Sequence, residues 1–230
     1  MPSREDAVSL FVDLVSRADQ DIHLPAAALA IARIAYPDLD MDFWLDEVAA
    51  LRQDARIAVE RSPHQDPVDS LLEVVFDEHG FDGDRENYYD PRNSFLNDVL
   101  ERRRGIPITL SLVLLEAADG AGVPMVGVGF PGHFLVSHPP SERYFDVFRR
   151  GLVLDRHGFL ELLRRQGLGP DAWRDEFLAP VGRAQMLARM LNNLRRHYAQ
   201  TGNQSALATV VAMSHGLEVA RESAADTHVQ

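Results

Sequence analysis

Residues 129–148 read GFPGHFLVSHPPSERYFDVF, and this stretch decides which fold the chain can adopt. It contains two runs of β-branched and aromatic residues, HFLVSH and RYFDVF, separated by prolines, a pattern that indicates an antiparallel hairpin. His133 lies in the first run and Asp146 in the second. In this arrangement a carboxylate can orient an imidazole. We therefore predict that the two side chains approach to hydrogen-bonding distance, about 2.6–3.2 Å.

The sequence around this stretch predicts an α+β fold. Pro107 is suited to begin a helix over 107–119, which carries little charge and should be buried centrally. At Pro124 the helical periodicity gives way to short apolar runs bounded by Gly and Pro. Three strands are predicted, near residues 124–130, 133–138 and 143–148. The expected core is a small antiparallel sheet packed on a central helix.

Helical patterns flank this core on both sides. Ser3 is the predicted cap of the first helix, and Pro25 and Asp40 are predicted to begin the next two. After Val181, two amphipathic segments surround TGNQS, which predicts a C-terminal helix pair. The chain is accordingly divided into a helical N-terminal region (1–65), a core (66–168) and a helical C-terminal region (169–230).

The composition limits the chemistry and the partners of the chain. It has no cysteine, and all 23 of its basic residues are arginine, which excludes a thiolate nucleophile and a lysine Schiff base. The net charge of -12 argues against a nucleic-acid partner, which requires a dense basic surface. Charged residues, Pro or Gly interrupt every apolar segment, so no membrane association is expected and the predicted location is the cytoplasm.

Several longer segments resemble the SirB-type transglutaminase-like family. The strongest are YYDPRNS (88–94), RRRGIPITLS (102–111) and PGHF (131–134). The flanking segments ALAIARIAYPDLD and RMLNNLRRHYAQTGN are similar to that family's helical regions, the second resembling a tetratricopeptide-type unit. The resemblance covers nearly the whole chain and implies a bacterial protein.

This resemblance implies a site that lacks its nucleophile. In the superfamily, a cysteine at the start of a buried helix faces a histidine and an aspartate on adjacent strands. The resemblance places His133 at the histidine and Asp146 at the aspartate, whereas the cysteine falls on or beside Pro107. Because proline has no nucleophilic group, the resemblance implies a transglutaminase-like fold without transglutaminase chemistry.

The remaining site residues have both functional and structural interpretations. Ser111 is the alternative nucleophile, although a mid-helix hydroxyl lacks oxyanion donors. His133 and His138 project to opposite faces of a strand, so neither a metal site nor another cofactor is expected. Capping, packing or a helix-end charge would also account for most of the candidates. The predicted binding residues are Tyr88, Tyr89, Asn93, Arg103, Pro107, His133 and Asp146.

Three functions are consistent with these features. The first is a non-catalytic module that binds a protein, a peptide or a small ligand in the cleft of the lost active site, with the C-terminal helices as a second contact surface. The second is a hydrolase or transferase in which His133 and Asp146 activate a water or Ser111. The third is an interaction protein whose partner docks on the C-terminal helices. A protein or peptide is the expected partner, with a small ligand as the alternative.

Overall fold

A computed structural model describes residues 4–227 of the chain. Helices occupy both ends of this range and a small antiparallel sheet lies between them in the sequence, which confirms the predicted α+β class. Ser3, the predicted cap of the first helix, lies outside the described residues.

Proline and aspartate begin several of the helices. Pro67 and Pro107 each occupy a first turn, where the missing N–H costs no hydrogen bond. Asp66 accepts a hydrogen bond from the N–H of Val68 at 2.9 Å, and a π-helix, Glu73–Glu78, continues the helix that follows. The helices are α1 (Arg4–Val15), α2 (Leu24–Ala32), α3 (Met41–Arg61), α4 (Pro67–Leu72), α5 (Leu96–Arg102), α6 (Pro107–Ala121), α7 (Arg156–Arg165), α8 (Arg183–Thr201) and α9 (Gln204–Thr227).

In residues 4–227 the strands are short and form two sheets. They are β1 (Asp82–Gly83), β2 (Arg104–Gly105), β3 (Val126–Val128), β4 (Leu135–His138), β5 (Arg143–Asp146), β6 (Leu152–Val153) and β7 (Pro180–Val181). The larger sheet has the order β6-β5-β4-β3-β7, with every neighbouring pair antiparallel. Its strands β3, β4 and β5 fall within the three predicted segments. The parallel pair β1–β2 and the edge strand β7 have no counterpart in the sequence prediction.

The described residues form two compact units, each assembled from separate parts of the sequence. The first consists of the chain up to residue 46, residues 89–101 and the chain from residue 182 onward. Within it, α9 packs against α8 and α1, and α2 packs against α1 and α8. The carboxylate of Asp19 accepts hydrogen bonds from the N–H groups of Arg183 (2.9 Å) and Ala184 (2.8 Å), which stabilises the start of α8. The three-part division of the chain and the tetratricopeptide character of α8 and α9 stay predictions.

The second unit, residues 47–88 and 102–181, contains the sheet and the central helix α6. Helix α6 packs against α4, against β3 and β4, and against the 3-10 turn that follows β5. At its start the N–H of Ile106 donates to Oγ1 of Thr109 at 3.2 Å. At its end Gly122 adopts φ 69, the left-handed conformation that closes a helix. α6 is therefore the buried central helix that the sequence predicts.

Strand β1 approaches the turn after β5 so closely that residue 83 has no room for a side chain. A Cβ at Gly83 would lie 2.5 Å from the carbonyl oxygen of Phe148, and a backbone atom cannot move aside easily. We expect Gly83→Ala to lower the free energy of unfolding by about 1–3 kcal/mol. Gly169→Ala is the matched control, because a Cβ there meets no atom within 4 Å. Denaturant titration measures both variants, and equal stability of the two would contradict the close approach.

Candidate functional site

His133 is the last residue of a tight turn between β3 and β4. The N–H of His133 donates to the carbonyl of Phe130 at 3.1 Å, which closes a β-turn over residues 130–133. Pro131 and Gly132 occupy its two central positions, and Gly132 has φ 64. Proline followed by a residue with positive φ is the pattern of a type II turn. The PGH sequence thus fixes where the imidazole enters the sheet.

Asp146, the last residue of β5, lies on the same face of the sheet as His133. In the β4–β5 register Val136 pairs with Phe145, so Asp146 stands one step further along, opposite Leu135. His133 precedes Leu135 by two residues, and residues two apart on an extended chain share a face. The hydrogen bond predicted from the sequence is present, with His133 Nε2 and Asp146 Oδ1 2.8 Å apart.

The Asp146 carboxylate is shared by three groups. Its Oδ1 also accepts a hydrogen bond from the N–H of Phe148 at 3.2 Å, and its Oδ2 lies 3.4 Å from Nε of Arg149. The N–H of Phe148 can only donate to Oδ1, and the guanidinium of Arg149 places a positive charge beside Oδ2, so both groups favour a carboxylate that accepts from His133. The proton between His133 and Asp146 is therefore assigned to Nε2. In the neutral imidazole, Nδ1 is then the basic nitrogen.

The two members of this His133–Asp146 pair are buried to different extents. The Asp146 side chain is 1% exposed and the His133 side chain is 14% exposed, so only the imidazole retains an edge at the surface. A carboxylate at this depth requires compensating partners, because an unpaired buried charge is strongly destabilising. Arg149 supplies the opposite charge. Arg149 is not among the site residues predicted from the sequence, although its position three residues after Asp146 is a signal that points to it.

The start of helix α6 offers no nucleophile. Pro107, its first residue, is buried and has neither a reactive side chain nor an N–H. Ser111 is 0% exposed, and its buried Oγ has no hydrogen-bond partner in the described part of the chain. A serine nucleophile requires a base within hydrogen-bonding reach. In this structure Ser111 is packed as a core residue.

Tyr88 contacts Phe148, the residue whose N–H binds Asp146. Its ring meets the ring of Phe148 edge to face, with centroids 5.5 Å apart. Arg85 contacts the same residue twice: its Cζ lies 5.8 Å from the ring centroid and its guanidinium donates to the Phe148 carbonyl at 3.1 Å. Because the N–H of Phe148 binds Asp146, these contacts also hold the turn that carries the carboxylate.

Arg103 belongs to the contacts that hold β1 beside β2. Its Cζ lies 4.8 Å from the centroid of the Phe81 ring, and its carbonyl accepts a hydrogen bond from the N–H of Asp82 at 3.0 Å. Arg103 also adopts φ 57, a conformation that is uncommon for residues other than glycine. These contacts give Arg103 a structural role, and its part in ligand binding stays a prediction.

Tyr89 and Asn93 belong to the first compact unit. Tyr89 is 84% exposed, whereas Asn93 is fully buried in a 3-10 turn at whose start Asp90 accepts a hydrogen bond from the N–H of Arg92. In the same unit, burial together with the hydrogen bond to Asp98 raises the pKa of Tyr36 to about 12. The binding roles predicted for Tyr89 and Asn93 stay predictions.

Two further features bear on the class of site. Among residues 4–227, no group of three or more His, Cys, Asp or Glu side chains is arranged to hold a metal ion. His138 instead places Nδ1 2.8 Å from the hydroxyl of Ser141. Within the same range, no helix is both long enough and apolar enough to cross a membrane.

The unpartnered hydroxyl of Ser111 generates a prediction about stability. Ser111→Ala should leave the free energy of unfolding unchanged or raise it by up to about 1 kcal/mol, because it removes a buried hydroxyl that makes no hydrogen bond. Thr109→Val, on the same helix, should lower it by about 1–2 kcal/mol, because the Thr109 hydroxyl is hydrogen-bonded. Thermal unfolding distinguishes the two variants. A marked loss of stability in Ser111→Ala would show that this hydroxyl has a partner.

The ion pair between Arg149 and Asp146 generates a second prediction. Arg149→Gln should lower the free energy of unfolding by about 1–3 kcal/mol, because the buried carboxylate loses its opposite charge. Arg150→Gln is the matched control: the neighbouring arginine pairs with Asp77, which is 67% exposed, and the change should cost about 0.5 kcal/mol or less. Chemical denaturation measures both. Equal destabilisation by the two substitutions would contradict a specific role for Arg149.

The comparisons with known proteins agree with this geometry. Residues 42–192 match the model of the Transglutaminase-like superfamily. A UPF0162 protein of Xylella fastidiosa (strain Temecula1) is 38% identical to the chain over 199 residues, which cover 84% of this chain and 70% of that protein. A UPF0162 protein of Pseudomonas aeruginosa is 30% identical over 204 residues, 89% of this chain and 70% of that protein.

A shorter similarity extends to animals. F-box only protein 21 of Homo sapiens is 44% identical over 69 residues, which are 30% of this chain and 11% of that protein. No solved structure matches the chain significantly. The family model covers most of the chain and the bacterial relatives match along most of its length, so the chain belongs to the transglutaminase-like superfamily and, with the UPF0162 proteins, to its SirB-type family.

Proposed function

We propose that this protein is a non-catalytic member of the transglutaminase-like superfamily that binds a protein or peptide segment at the surface around His133. The observation that carries the proposal is the hydrogen bond between His133 and Asp146 in a chain that has no cysteine. An oriented imidazole with an exposed edge can form a hydrogen bond with a ligand. Acyl transfer also requires a nucleophile, which neither Pro107 nor the buried Ser111 supplies.

The burial of the pair supports a role beyond packing. A buried ionic group is seldom more stabilising than well-packed apolar side chains of the same volume. The carboxylate of Asp146 already has the N–H of Phe148 and the guanidinium of Arg149 as partners. The imidazole of His133 is therefore an additional partner, and its 14% exposed edge supports a contact with a ligand.

The exposed side chains around Phe148, whose N–H binds Asp146, support a protein or peptide as the ligand. Tyr88 is 39% exposed and packs on Phe148, and the exposed side chain of Arg85 lies over the same ring. Tyrosine and arginine are enriched in protein interfaces, where they supply much of the binding energy. These groups are consistent with an extended ligand that contacts His133 and the Tyr88–Arg85 surface together.

A second candidate function is hydrolysis by an activated water. The observation that favours it is the assignment of the shared proton to Nε2, which leaves Nδ1 as the basic nitrogen that general-base catalysis requires. Such a reaction would need His133 but no nucleophilic side chain. The two functions therefore predict opposite results in an assay of turnover.

Binding of selected peptides tests the proposal. Peptides are selected by display against the wild-type protein and their affinities are measured for wild type, His133→Ala and His138→Ala. We expect His133→Ala to weaken binding by about tenfold or more, since it removes a hydrogen-bonding group at the contact. His138→Ala is the matched control, because His138 lies at the far end of β4, the strand that follows His133, and contacts Ser141 instead of Asp146. Thermal melting establishes that both variants are folded.

Three outcomes decide between the functions. Peptides that bind His133→Ala as tightly as wild type would contradict the proposal. If those peptides were lost on substitution of Arg196 in α8, interaction through the C-terminal helices would be favoured instead. Turnover of an activated ester that depends on His133, or labelling of Ser111 by a fluorophosphonate, would establish an enzyme. We expect neither reaction with the wild-type protein.

A further inference from the structure

Residues 166–179, here called the strap, connect α7 to β7 and are mostly exposed. Hydrogen bonds within its backbone join strap residues to one another: the N–H of Trp173 donates to the Pro170 carbonyl, and the N–H of Phe177 donates to the Arg174 carbonyl, both at 3.1 Å. The strap is thus a locally folded segment: residues 166–168 are hydrogen-bonded through their backbone to the end of α7, and the contacts described next are made by its side chains. A segment with exposed backbone hydrogen bonds and few buried contacts opens more readily than a core element.

The aromatic contacts of the strap are made with the first residue of the turn that carries His133. The rings of Trp173 and Phe177 lie 6.4 and 6.0 Å from the ring of Phe130. Trp173 also lies 5.8 Å from Phe159 in α7. Phe130 is fully buried in this cluster. The docked strap therefore holds one end of the β-turn over residues 130–133.

A polar contact is made with the third residue of the same turn. A Cβ at Gly132 would lie 2.0 Å from Cδ and 2.1 Å from Oε1 of Gln166, so the Gln166 carboxamide rests directly against the glycine backbone. The next residue along the chain is His133. The strap thus contacts two residues of a turn whose last member is the histidine paired with Asp146.

We propose that the strap is a closure element for the His133 surface: when docked it covers the turn, and when released it opens this surface to the ligand. The proposal rests on the proposed function in assigning a ligand to the surface, but the closure itself requires none. The carboxamide of Gln166 offers one acceptor and a donor group. A peptide bond offers the same pair, so the amide of a bound peptide matches the group that it would displace.

The contacts that dock the strap are weak enough for a bound ligand to release it. Trp173 and Phe177 are only partly buried, and Arg156 lies over Trp173 with its Cζ 6.0 Å from the ring centroid. Aromatic and cation–π contacts of this kind are individually weak. A ligand that binds only the open form can therefore shift the equilibrium towards it.

The absence of cysteine allows a direct test. His133→Cys introduces the sole thiol of the chain, and its alkylation rate with iodoacetamide reports access to this position. Adding Trp173→Ala should raise the rate roughly tenfold, because the strap loses its ring contacts with Phe130 and Phe159. Adding Gln166→Ala should raise it by about threefold. Arg165→Ala is the matched control, because this neighbouring side chain pairs with Glu161 on α7, and equal rates in all four proteins would overturn the proposal.

A second measurement keeps His133 in place. Hydrogen exchange is compared between wild type and Trp173→Ala for peptides that cover residues 130–134, where the N–H of His133 is hydrogen-bonded to Phe130. We expect faster exchange at this amide in the variant, and unchanged protection would overturn the proposal. Neither measurement includes a ligand. If the strap does not control access to residue 133, the test of peptide binding is unaffected. If no selected peptide depends on His133, the measurements on the strap still hold.

Discussion

The buried carboxylate of Asp146 is the interaction on which the candidate site depends. At the last position of β5 it receives the imidazole of His133 and the N–H of Phe148 on one oxygen, and it faces Arg149 with the other. One side chain thus begins a 3-10 turn, connects the ends of two neighbouring strands and orients a histidine. Because it is 1% exposed, water cannot replace a missing donor, and these groups are coupled in one arrangement.

Packing within the second unit also holds the two turns that carry Asp146 and His133. Phe148, whose N–H binds the carboxylate, leaves no space for a side chain at Gly83 and carries the ring of Tyr88. The turn after β5 is therefore enclosed between the hydrogen bonds of Asp146 and the close approach of β1. The turn before β4 is enclosed in the same way, between its own closing hydrogen bond and the contacts of Phe130 and Gly132 with the strap. Both ends of the His133–Asp146 pair are held by short segments outside the five-stranded sheet.

The sequence predicts the parts of this structure that have a period or a punctuating residue. The central helix and strands β3, β4 and β5 follow from apolar spacing and from Pro107 and Pro124. The His133–Asp146 contact follows from the positions of the two residues on predicted neighbouring strands together with the family resemblance. Strands of two residues, such as β1 and β7, are too short to have a period. Arg149 depends on the conformation of a turn, and Gln166 reaches Gly132 only through tertiary packing. Neither the strap contacts nor the two non-contiguous compact units produce a local pattern, so they were accessible only from the structure.

Pro107 at the start of α6 allows the fold of the superfamily to form without its catalytic nucleophile. A first-turn proline costs no hydrogen bond and has a backbone angle suited to a helix start, so Pro107 supports the buried helix while offering no reactive group. The helix, the sheet and the His133–Asp146 pair therefore form without a nucleophile. Replacing His133 by an apolar side chain would take one donor from the buried Asp146 carboxylate, while the N–H of Phe148 and the guanidinium of Arg149 would remain. The exposed edge of the imidazole is what such a replacement would remove, and it is this edge that a ligand can reach.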